Sequence, residues 1–239
     1  MVDMTELAKL DTEGVQRVLA VVAHPDDMEY GASAAVAKWA AEGIAIHYLL
    51  LTAGEAGIAS IEPDRTAALR AEEQQAACDI VGAASLEILG FPDGLLEPDH
   101  SVRKAIVRKI REVRPQMAIS LTWELEVGFG INHVDHRACG MALMDAIRDA
   151  DNPWIFQDLG LKRWKVERAL FCAATKPTHY VDVSGEPLQK GIASLAAHEQ
   201  YLAALPDHPT PEEINRGVTE EAGRRLGIEA ALPVREVRL

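Results

Sequence analysis

The feature that most constrains the fold of this chain is an alternation of short apolar runs with longer helical patterns across residues 15–149. The first two runs, residues 15–23 and 45–51, are rich in Val, Leu and Ala or Ile and contain few polar residues. This pattern is typical of strands that are buried on both faces of a parallel sheet. Helices that connect parallel strands make right-handed crossovers. The sequence therefore predicts a three-layer α/β/α, Rossmann-like fold with a mostly parallel sheet.

The predicted boundaries follow from where each pattern starts and stops. Strands are predicted over residues 15–23, 45–51, 86–89 and 117–121. Helices are predicted over residues 32–42, 65–81, 101–113 and 134–149. Gly43 and Gly82 stand where helices commonly end, and Ser101 is the predicted N-cap of its helix.

After residue 150 the pattern loosens. We predict a loop or lid over residues 152–164. The remaining predicted elements are strands over residues 166–175, 180–183 and 234–239 and helices over residues 187–204 and 212–226, with His198 on the helix surface. The chain is predicted to be one domain, residues 1–239, with a core from about 15 to 205 and a C-terminal extension from about 206 to 239. The extension is expected to pack on the domain or on a neighbouring subunit, and a homo-oligomer is compatible with the sequence.

The charge balance excludes some classes of partner. With 24 Lys and Arg against 37 Asp and Glu, the net charge is −13. Such a surface repels the phosphates of nucleic acids and anionic lipids. We therefore expect a small-molecule substrate, no nucleic acid and no membrane partner. Residues 1–14 lack the basic start and apolar stretch of a signal peptide, which favours a cytoplasmic location.

Two polar clusters lie where an active site of such a sheet is expected. The first, His-Pro-Asp-Asp at residues 24–27, comes directly after the first predicted strand. The second, His-Val-Asp-His at residues 133–136, lies between the fourth predicted strand and the next helix. Either cluster alone is more often a turn that caps a helix. Ligand crevices of open α/β sheets form outside the carboxyl ends of the strands, so we expect the two clusters to meet.

The residue types in these clusters suit a catalytic zinc ion. Histidine and carboxylate ligands fit zinc, and three protein ligands with one open position are the catalytic pattern. The best set is His24, Asp27 and His136, with Asp26 left beside the metal as a general base. A metal ion lowers the pKa of bound water from 15.7 to about 7, which provides a nucleophile for an amide carbonyl.

The two other titratable residues of the second cluster are predicted to act on the opposite wall of the crevice. His133, as an imidazolium, would stabilise the oxyanion or protonate the departing amine. Asp135 would orient His133 or raise its pKa through its negative charge. Both are therefore predicted to be catalytic.

Four segments of the chain, taken in order, resemble the LmbE/PIG-L family of metal-dependent de-N-acetylases. They are A-H-P-D-D, L-T-A-G-E-A-G, L-G-F-P-D-G and H-V-D-H-R. The resemblance implies zinc, or ferrous iron, held by His24, Asp27 and His136. It also implies that Asp26 is the general base and that His133 assists at the transition state.

The resemblance extends to substrate binding and has two departures. Arg70 and Asp93 are nearest to an Arg and an Asp that hold sugar hydroxyls in members resembling the deacetylase of mycothiol synthesis. The family motif usually places a Glu directly after the second Asp, but here Met28 precedes Glu29, which leaves the role of Glu29 open. Some members have an oxyanion-binding Tyr where this chain has Ile131.

We therefore expect a zinc-dependent hydrolase that removes an N-acetyl or other N-acyl group from an amino sugar or its conjugate. An amidase acting on a thiol-sugar conjugate or another non-sugar amide would use the same residues. A non-haem Fe(II) oxygenase is an alternative of another class, because two His and one carboxylate also form its facial triad. An inactive metal-binding homologue is a third. The presence of Asp26 and His133 beside the predicted ligands favours the hydrolase.

Overall fold

The first long apolar run is buried on both of its faces. The computed structural model describes residues 4–128 and 130–239. In it, Val18, Ala20 and Val22 pack in one hydrophobic core, whereas Leu19 and Val21 pack in another. Successive side chains of a strand point to opposite faces of the sheet, so a strand between two cores needs apolar residues at every position.

The regular elements are numbered here in chain order. The strands are β1 (Ala8–Lys9), β2 (Arg17–Val22), β3 (Ala45–Leu50), β4 (Ser85–Ile88), β5 (Met117–Leu121), β6 (Glu126–Val127), β7 (Gly130–Ile131), β8 (Arg168–Cys172), β9 (His179–Asp182) and β10 (Ala231–Arg238). The helices are α1 (Ser33–Ala41), α2 (Pro63–Val81), α3 (His100–Val113), α4 (Val134–Asp151), α5 (Glu186–Ala196), α6 (Glu199–Ala203) and α7 (Pro211–Leu226). Within the described part of the chain, none of these helices combines the length and the apolar character needed to cross a bilayer.

The sheet is mostly parallel and is covered by helices on both faces. β4, β3, β2, β5 and β8 lie side by side and run parallel. β10 lies between β8 and β9 and is antiparallel to both, while β1 runs parallel to β9. Residues of α1, α2 and α5 pack in one core, and residues of α3 and α4 pack in the other. The predicted three-layer α/β/α fold is confirmed.

The strand order creates one crevice at the carboxyl edge of the sheet. From β2 the chain moves outward through β3 to β4, and it then returns to the other side of β2 as β5. At such a reversal the connections leave two neighbouring strands toward opposite faces, and ligands bind between them. His24 follows β2, and the segment that leads to His133 follows β5.

Two predictions about helices are wrong in detail. The N-cap of α3 is Asp99 instead of Ser101, because the Asp99 carboxylate accepts hydrogen bonds from the main-chain N–H groups of Ser101 and Val102. The helix predicted over residues 187–204 is divided into α5 and α6, with His198 at the junction. His198 is fully buried there and does not lie on a helix surface.

The C-terminal tail ends inside the main sheet. β10 pairs with β8 over Arg235–Arg238 and with β9 over Ala231–Val234, and the side chain of Val234 is fully buried. The extension predicted from about residue 206 therefore contributes a strand to the same sheet as the core.

Candidate metal and catalytic site

The two predicted clusters meet in the crevice between β2 and β5. The ring centroid of His24 lies 5.2 Å from that of His133 and 5.2 Å from that of His136. The loop after β2 is well buried, with His24 8% exposed and Asp27 4% exposed. Side chains from distant parts of the chain thus form one polar site.

The Asp27 carboxylate lies between the two histidines that were predicted as its co-ligands. Its Oδ1 atom is 3.5 Å from Nδ1 of His24 and 3.0 Å from Nε2 of His136. Its Oδ2 atom accepts hydrogen bonds of 2.9 Å from the main-chain N–H groups of Ala23 and His24. These main-chain contacts fix the carboxylate, so that Oδ1 and the two ring nitrogens converge.

In each of these histidines, the ring nitrogen that does not face Asp27 lies close to a hydrogen-bond acceptor. Nε2 of His24 lies 3.0 Å from an oxygen of Asp93 and 3.1 Å from an oxygen of Asp135. Nδ1 of His136 lies 3.2 Å from Oδ1 of Asn132. Histidine ligands of metals commonly donate their second ring N–H to a carboxylate or a carbonyl, which leaves the other nitrogen free to bind the metal. The arrangement leaves Nδ1 of His24 and Nε2 of His136 facing Asp27.

The electrostatics of the site favour a bound cation. Burial opposes the charged form of His24, but the carboxylates of Asp27, Asp135 and Asp93 raise its pKa to about 12. Burial likewise opposes charge on His136, and Asp27 raises its pKa. In return, the two histidines overcome burial and hold the pKa of Asp27 well below its usual range. The carboxylates therefore attract positive charge to this point, as a divalent metal would supply.

Among the residues that the structure describes, two sets have potential ligand atoms within 4.8 Å of one another. One set is His24, His133 and His136, and the other is His24, Asp93 and Asp135. Imidazole nitrogens and carboxylate oxygens are ligands of zinc and of ferrous iron. The residues of this site thus fit a metal ion, and His24 belongs to both sets.

Asp26 has a different environment from its neighbour Asp27. It is 4% exposed, and burial raises the pKa of its carboxyl to about 7 against the opposing effect of Arg70. Its Oδ2 atom accepts a hydrogen bond of 3.0 Å from Arg70 Nη2. A carboxyl group that titrates near neutral pH is suited to exchange protons with a substrate.

Arg70 lies beneath the loop after β2. It is 2% exposed, and it donates hydrogen bonds to the carbonyl oxygens of Gly54 and Pro25 as well as to Asp26. A Cβ atom at Gly54 would lie 2.1 Å from Nη1 of Arg70, and one at Gly57 would lie 2.6 Å from it. The two glycines of the L-T-A-G-E-A-G segment therefore make room for the guanidinium. That Arg70 binds substrate stays a prediction.

Asp93 lies near Nε2 of His24, whereas Asp27 lies near Nδ1 of the same ring. Its Oδ2 atom accepts a hydrogen bond of 2.8 Å from the main-chain N–H of Ala56, and Oδ1 faces His24. These hydrogen bonds overcome burial and lower the pKa of its carboxyl. That Asp93 binds substrate likewise stays a prediction.

Asp135 does not orient the side chain of His133 as expected. Its carboxylate is fully buried and accepts hydrogen bonds from the main-chain N–H groups of Gly94 and Leu96, besides facing His24. The first turn of α4 directs this carboxylate toward the loop after β4 and the ring of His24. Only the main-chain N–H of Asp135 reaches His133, at 3.2 Å from Nδ1.

The expected imidazolium at His133 is also not what the structure favours. Burial, together with the positive charges of His24 and His136, lowers the pKa of His133, although the negative charge of Asp135 acts to raise it, as predicted. Because Nδ1 accepts the N–H of Asp135, the neutral ring carries its proton on Nε2. His133 therefore offers one N–H donor to the crevice.

Several residues of the site were not identified from the sequence. Tyr201 of α6 stacks on Arg70, with its ring centroid 3.9 Å from the guanidinium carbon. Gln74 of α2 accepts a hydrogen bond from the main chain of Asp26. Neither residue belongs to a motif with chemistry of its own, although Arg70 and Gln74 are four residues apart and share a face of α2.

Ile131, the residue that stands where some family members have an oxyanion-binding Tyr, lies in the small hairpin of β6 and β7. Its side chain is 69% exposed there.

The chain is similar in sequence and in fold to known proteins. The family model described as PIG-L, GlcNAc-PI de-N-acetylase, matches residues 19–147. The chain is 30% identical over 211 residues to the diacetylchitobiose deacetylase of Thermococcus kodakarensis, covering 82% of this chain and 76% of that protein. It is also 30% identical over 222 residues to the 1D-myo-inositol 2-acetamido-2-deoxy-alpha-D-glucopyranoside deacetylase of Geodermatophilus obscurus, covering 80% and 70%. The fold is similar to that of the N,N'-diacetylchitobiose deacetylase from Pyrococcus horikoshii, with a TM-score of 0.84 at 20% identity over 95% of this chain and 85% of that one.

Proposed function

Since the chain belongs to the PIG-L family of de-N-acetylases and is thus an amide hydrolase, we propose that it removes the acetyl group from an N-acetylated amino sugar or its conjugate. The observation that supports this most strongly is the convergence of Asp27 with His24 and His136, directly beside the buried carboxyl of Asp26. A group of potential metal ligands beside a potential proton acceptor supports metal-assisted hydrolysis of an amide.

The proposed metal is zinc, with ferrous iron as the alternative. The metal would be held by Nδ1 of His24, Oδ1 of Asp27 and Nε2 of His136. The second polar atom of each of these side chains already has a hydrogen-bond partner. When bound, such a metal supplies a Lewis acid that acidifies water and polarises the amide carbonyl. The set that contains His24, Asp93 and Asp135 is less suited, because the Asp135 oxygens already accept two main-chain N–H groups in a fully buried position.

The chain's own residues would carry the proton transfers. Asp26 accepts a proton from the attacking water as the new C–O bond forms. The N–H at Nε2 of His133 donates a hydrogen bond to the developing oxyanion. As the C–N bond breaks, the proton held by Asp26 passes to the leaving nitrogen, and the products are acetate and the free amine.

The names of the relatives suggest which substrates to try first. The relatives from Thermococcus kodakarensis and Geodermatophilus obscurus are named for diacetylchitobiose and for an inositol conjugate of N-acetylglucosamine. We propose an N-acetylglucosamine conjugate as the substrate class.

A direct assay tests the proposed function. Purified protein would be stripped with a chelator, reloaded with zinc or with ferrous iron under anaerobic conditions, and incubated with N,N'-diacetylchitobiose or with N-acetylglucosaminyl inositol. We expect equimolar acetate and free amine, activity that is lost on chelation, and recovery with metal. Activity that is indifferent to chelation, or oxygen consumption without acetate release, would contradict the proposal, the second in favour of the oxygenase.

A further inference from the structure

Buried polar side chains link the main chain of Asp26 to Glu29. Glu29, whose role the sequence left open, is fully buried, and Gln74 of α2 is 1% exposed. The Gln74 carboxamide accepts a hydrogen bond of 2.8 Å from the main-chain N–H of Asp26 through Oε1. Its Nε2 donates one of 3.3 Å to Oε1 of Glu29. Gln74 thus bridges the main chain of Asp26 to a buried carboxyl group.

The orientation of the Gln74 carboxamide is determined by both neighbours. If the group were turned over, its NH2 would face the N–H of Asp26 and its oxygen would face the carboxyl oxygen of Glu29. The contact with the N–H of Asp26 would then be repulsive, and this buried main-chain group would lose its acceptor. Glu29, by accepting from Nε2, supports the orientation in which Gln74 accepts from Asp26.

The main chain of Asp26 needs such support because its conformation is strained. Its φ angle is 90°, in the left-handed region that residues with a side chain rarely adopt. This conformation directs the carboxyl of Asp26 to Arg70, while the next residue, Asp27, turns toward His24 and His136. A change of φ at Asp26 would alter the position of the carboxyl relative to the crevice.

We propose that Gln74 is a positioning residue for Asp26 and that Glu29 acts through Gln74 by fixing its carboxamide. This inference rests on the proposed role of Asp26 as the general base. α2 then holds Asp26 at two points: Arg70 binds its side chain, and Gln74, one turn later, binds its main chain. Apolar residues would fill these buried positions at lower cost in desolvation, so packing alone does not account for the polar chain.

Kinetics of paired substitutions test the inference in the full-length, metal-loaded protein. Gln74→Met keeps the length of the side chain but removes both hydrogen bonds, and we expect kcat to fall about 10- to 100-fold with KM within about twofold. Glu29→Met should lower kcat about three- to tenfold, whereas Glu29→Gln, which can still accept from Gln74, should retain most of it. Gln75→Met, on the exposed side of the same helix, is the matched control and should equal the wild type.

The double variant separates positioning from general destabilisation. If Glu29 acts only through Gln74, Glu29→Met should add no further loss of kcat in the Gln74→Met background. Equal kcat values for the wild type and Gln74→Met, or fully multiplicative losses in the double variant, would overturn the inference. Should Gln74→Met fail to fold, the contrast between Glu29→Met and Glu29→Gln decides the question.

A readout that needs no substrate keeps this test distinct from that of the proposed function. Hydrogen exchange of the Asp26 amide, followed by NMR, should be slow in the wild type and in Gln75→Met and about tenfold or more faster in Gln74→Met. If the wild type released no acetate from any N-acetylated sugar, the proposed function would fail, but exchange would still report on the bridge. An Asp26 amide with equal protection in Gln74→Met would overturn the positioning role itself.

Discussion

Asp26 and Asp27 are consecutive carboxylates with opposite electrostatic environments. Burial raises the pKa of Asp26 to about 7, whereas the imidazoles of His136 and His24 hold the pKa of Asp27 well below its usual range despite burial. Neighbouring acids whose pKa values are driven apart commonly have different roles in a mechanism. Here Asp27, the more acidic group, faces His136, and Asp26, the less acidic one, faces Arg70.

The roles of these two carboxylates can be separated by an isosteric substitution. Asp26→Asn keeps the shape of the side chain but cannot accept a proton from water. We expect kcat to fall about 10²- to 10⁴-fold while the metal content stays that of the wild type, as measured by elemental analysis of dialysed protein. Asp64→Asn, an exposed acid in the first turn of α2, is the control. Wild-type turnover in Asp26→Asn would show that another group is the base.

Asp135 is predicted to affect the metal through His24. Its buried carboxylate faces Nε2 of His24, and the neutral amide of Asp135→Asn would be a weaker acceptor for that N–H. We expect metal affinity to fall about 10- to 100-fold, measured by competition with a chromogenic chelator. Asp145→Asn, exposed on the same helix, should bind metal as the wild type does. Unchanged affinity in Asp135→Asn would show that Asp93 alone suffices to orient His24.

At the scale of elements, the start of α3 offers a direct test of local structure. The N-cap is Asp99, so we expect Asp99→Ala to lower the free energy of unfolding by about 1 kcal/mol and Ser101→Ala to lower it by less. Urea unfolding followed by circular dichroism measures both. A larger effect of Ser101→Ala would show that Ser101 is the N-cap, as the sequence predicted.

The contribution of Asp99 should depend on pH in a defined direction. Hydrogen bonds from the N–H of Val102 and from Ser101 lower the pKa of Asp99 from 3.8. A carboxyl whose pKa is lower in the folded state stabilises the protein above its unfolded pKa, and this stabilisation is lost as the pH falls through the folded pKa. The difference between wild type and Asp99→Ala should therefore be largest at neutral pH and shrink below about pH 4.

The elements of the sheet could be predicted from the sequence because their signals are local. The run that forms β2 has to be apolar on both faces, and the residues that follow it, including His24, then lie at the carboxyl edge. Contacts made by polar residues inside helices could not be predicted in this way. Nothing in the sequence around Gln74 or Tyr201 indicates that these residues reach Asp26 and Arg70, because those contacts depend on how α2 and α6 pack.

At the scale of the whole molecule, the C-terminal segment is part of the structure that supports the site. Tyr201 of α6 stacks on Arg70, and the N–H of Gln200 donates to Glu73 of α2. Later in the chain, β10 lies in the main sheet between β8 and β9. The family model ends at residue 147, so Gln200, Tyr201 and β10 lie outside the part of the chain that it matches.

This arrangement predicts that the tail and the site unfold together. Val234 is fully buried on β10, and Val234→Ala should lower the free energy of unfolding by about 1–3 kcal/mol through the lost apolar contacts. We expect a single urea transition, with the same midpoint whether it is followed by circular dichroism or by metal release, because β10 pairs with β8, which itself pairs with β5 beside the site. Val218→Ala, at an exposed position of α7, is the control. Two separate transitions, with metal release unaffected by Val234→Ala, would instead mean that residues from about 206 onward form an independent extension.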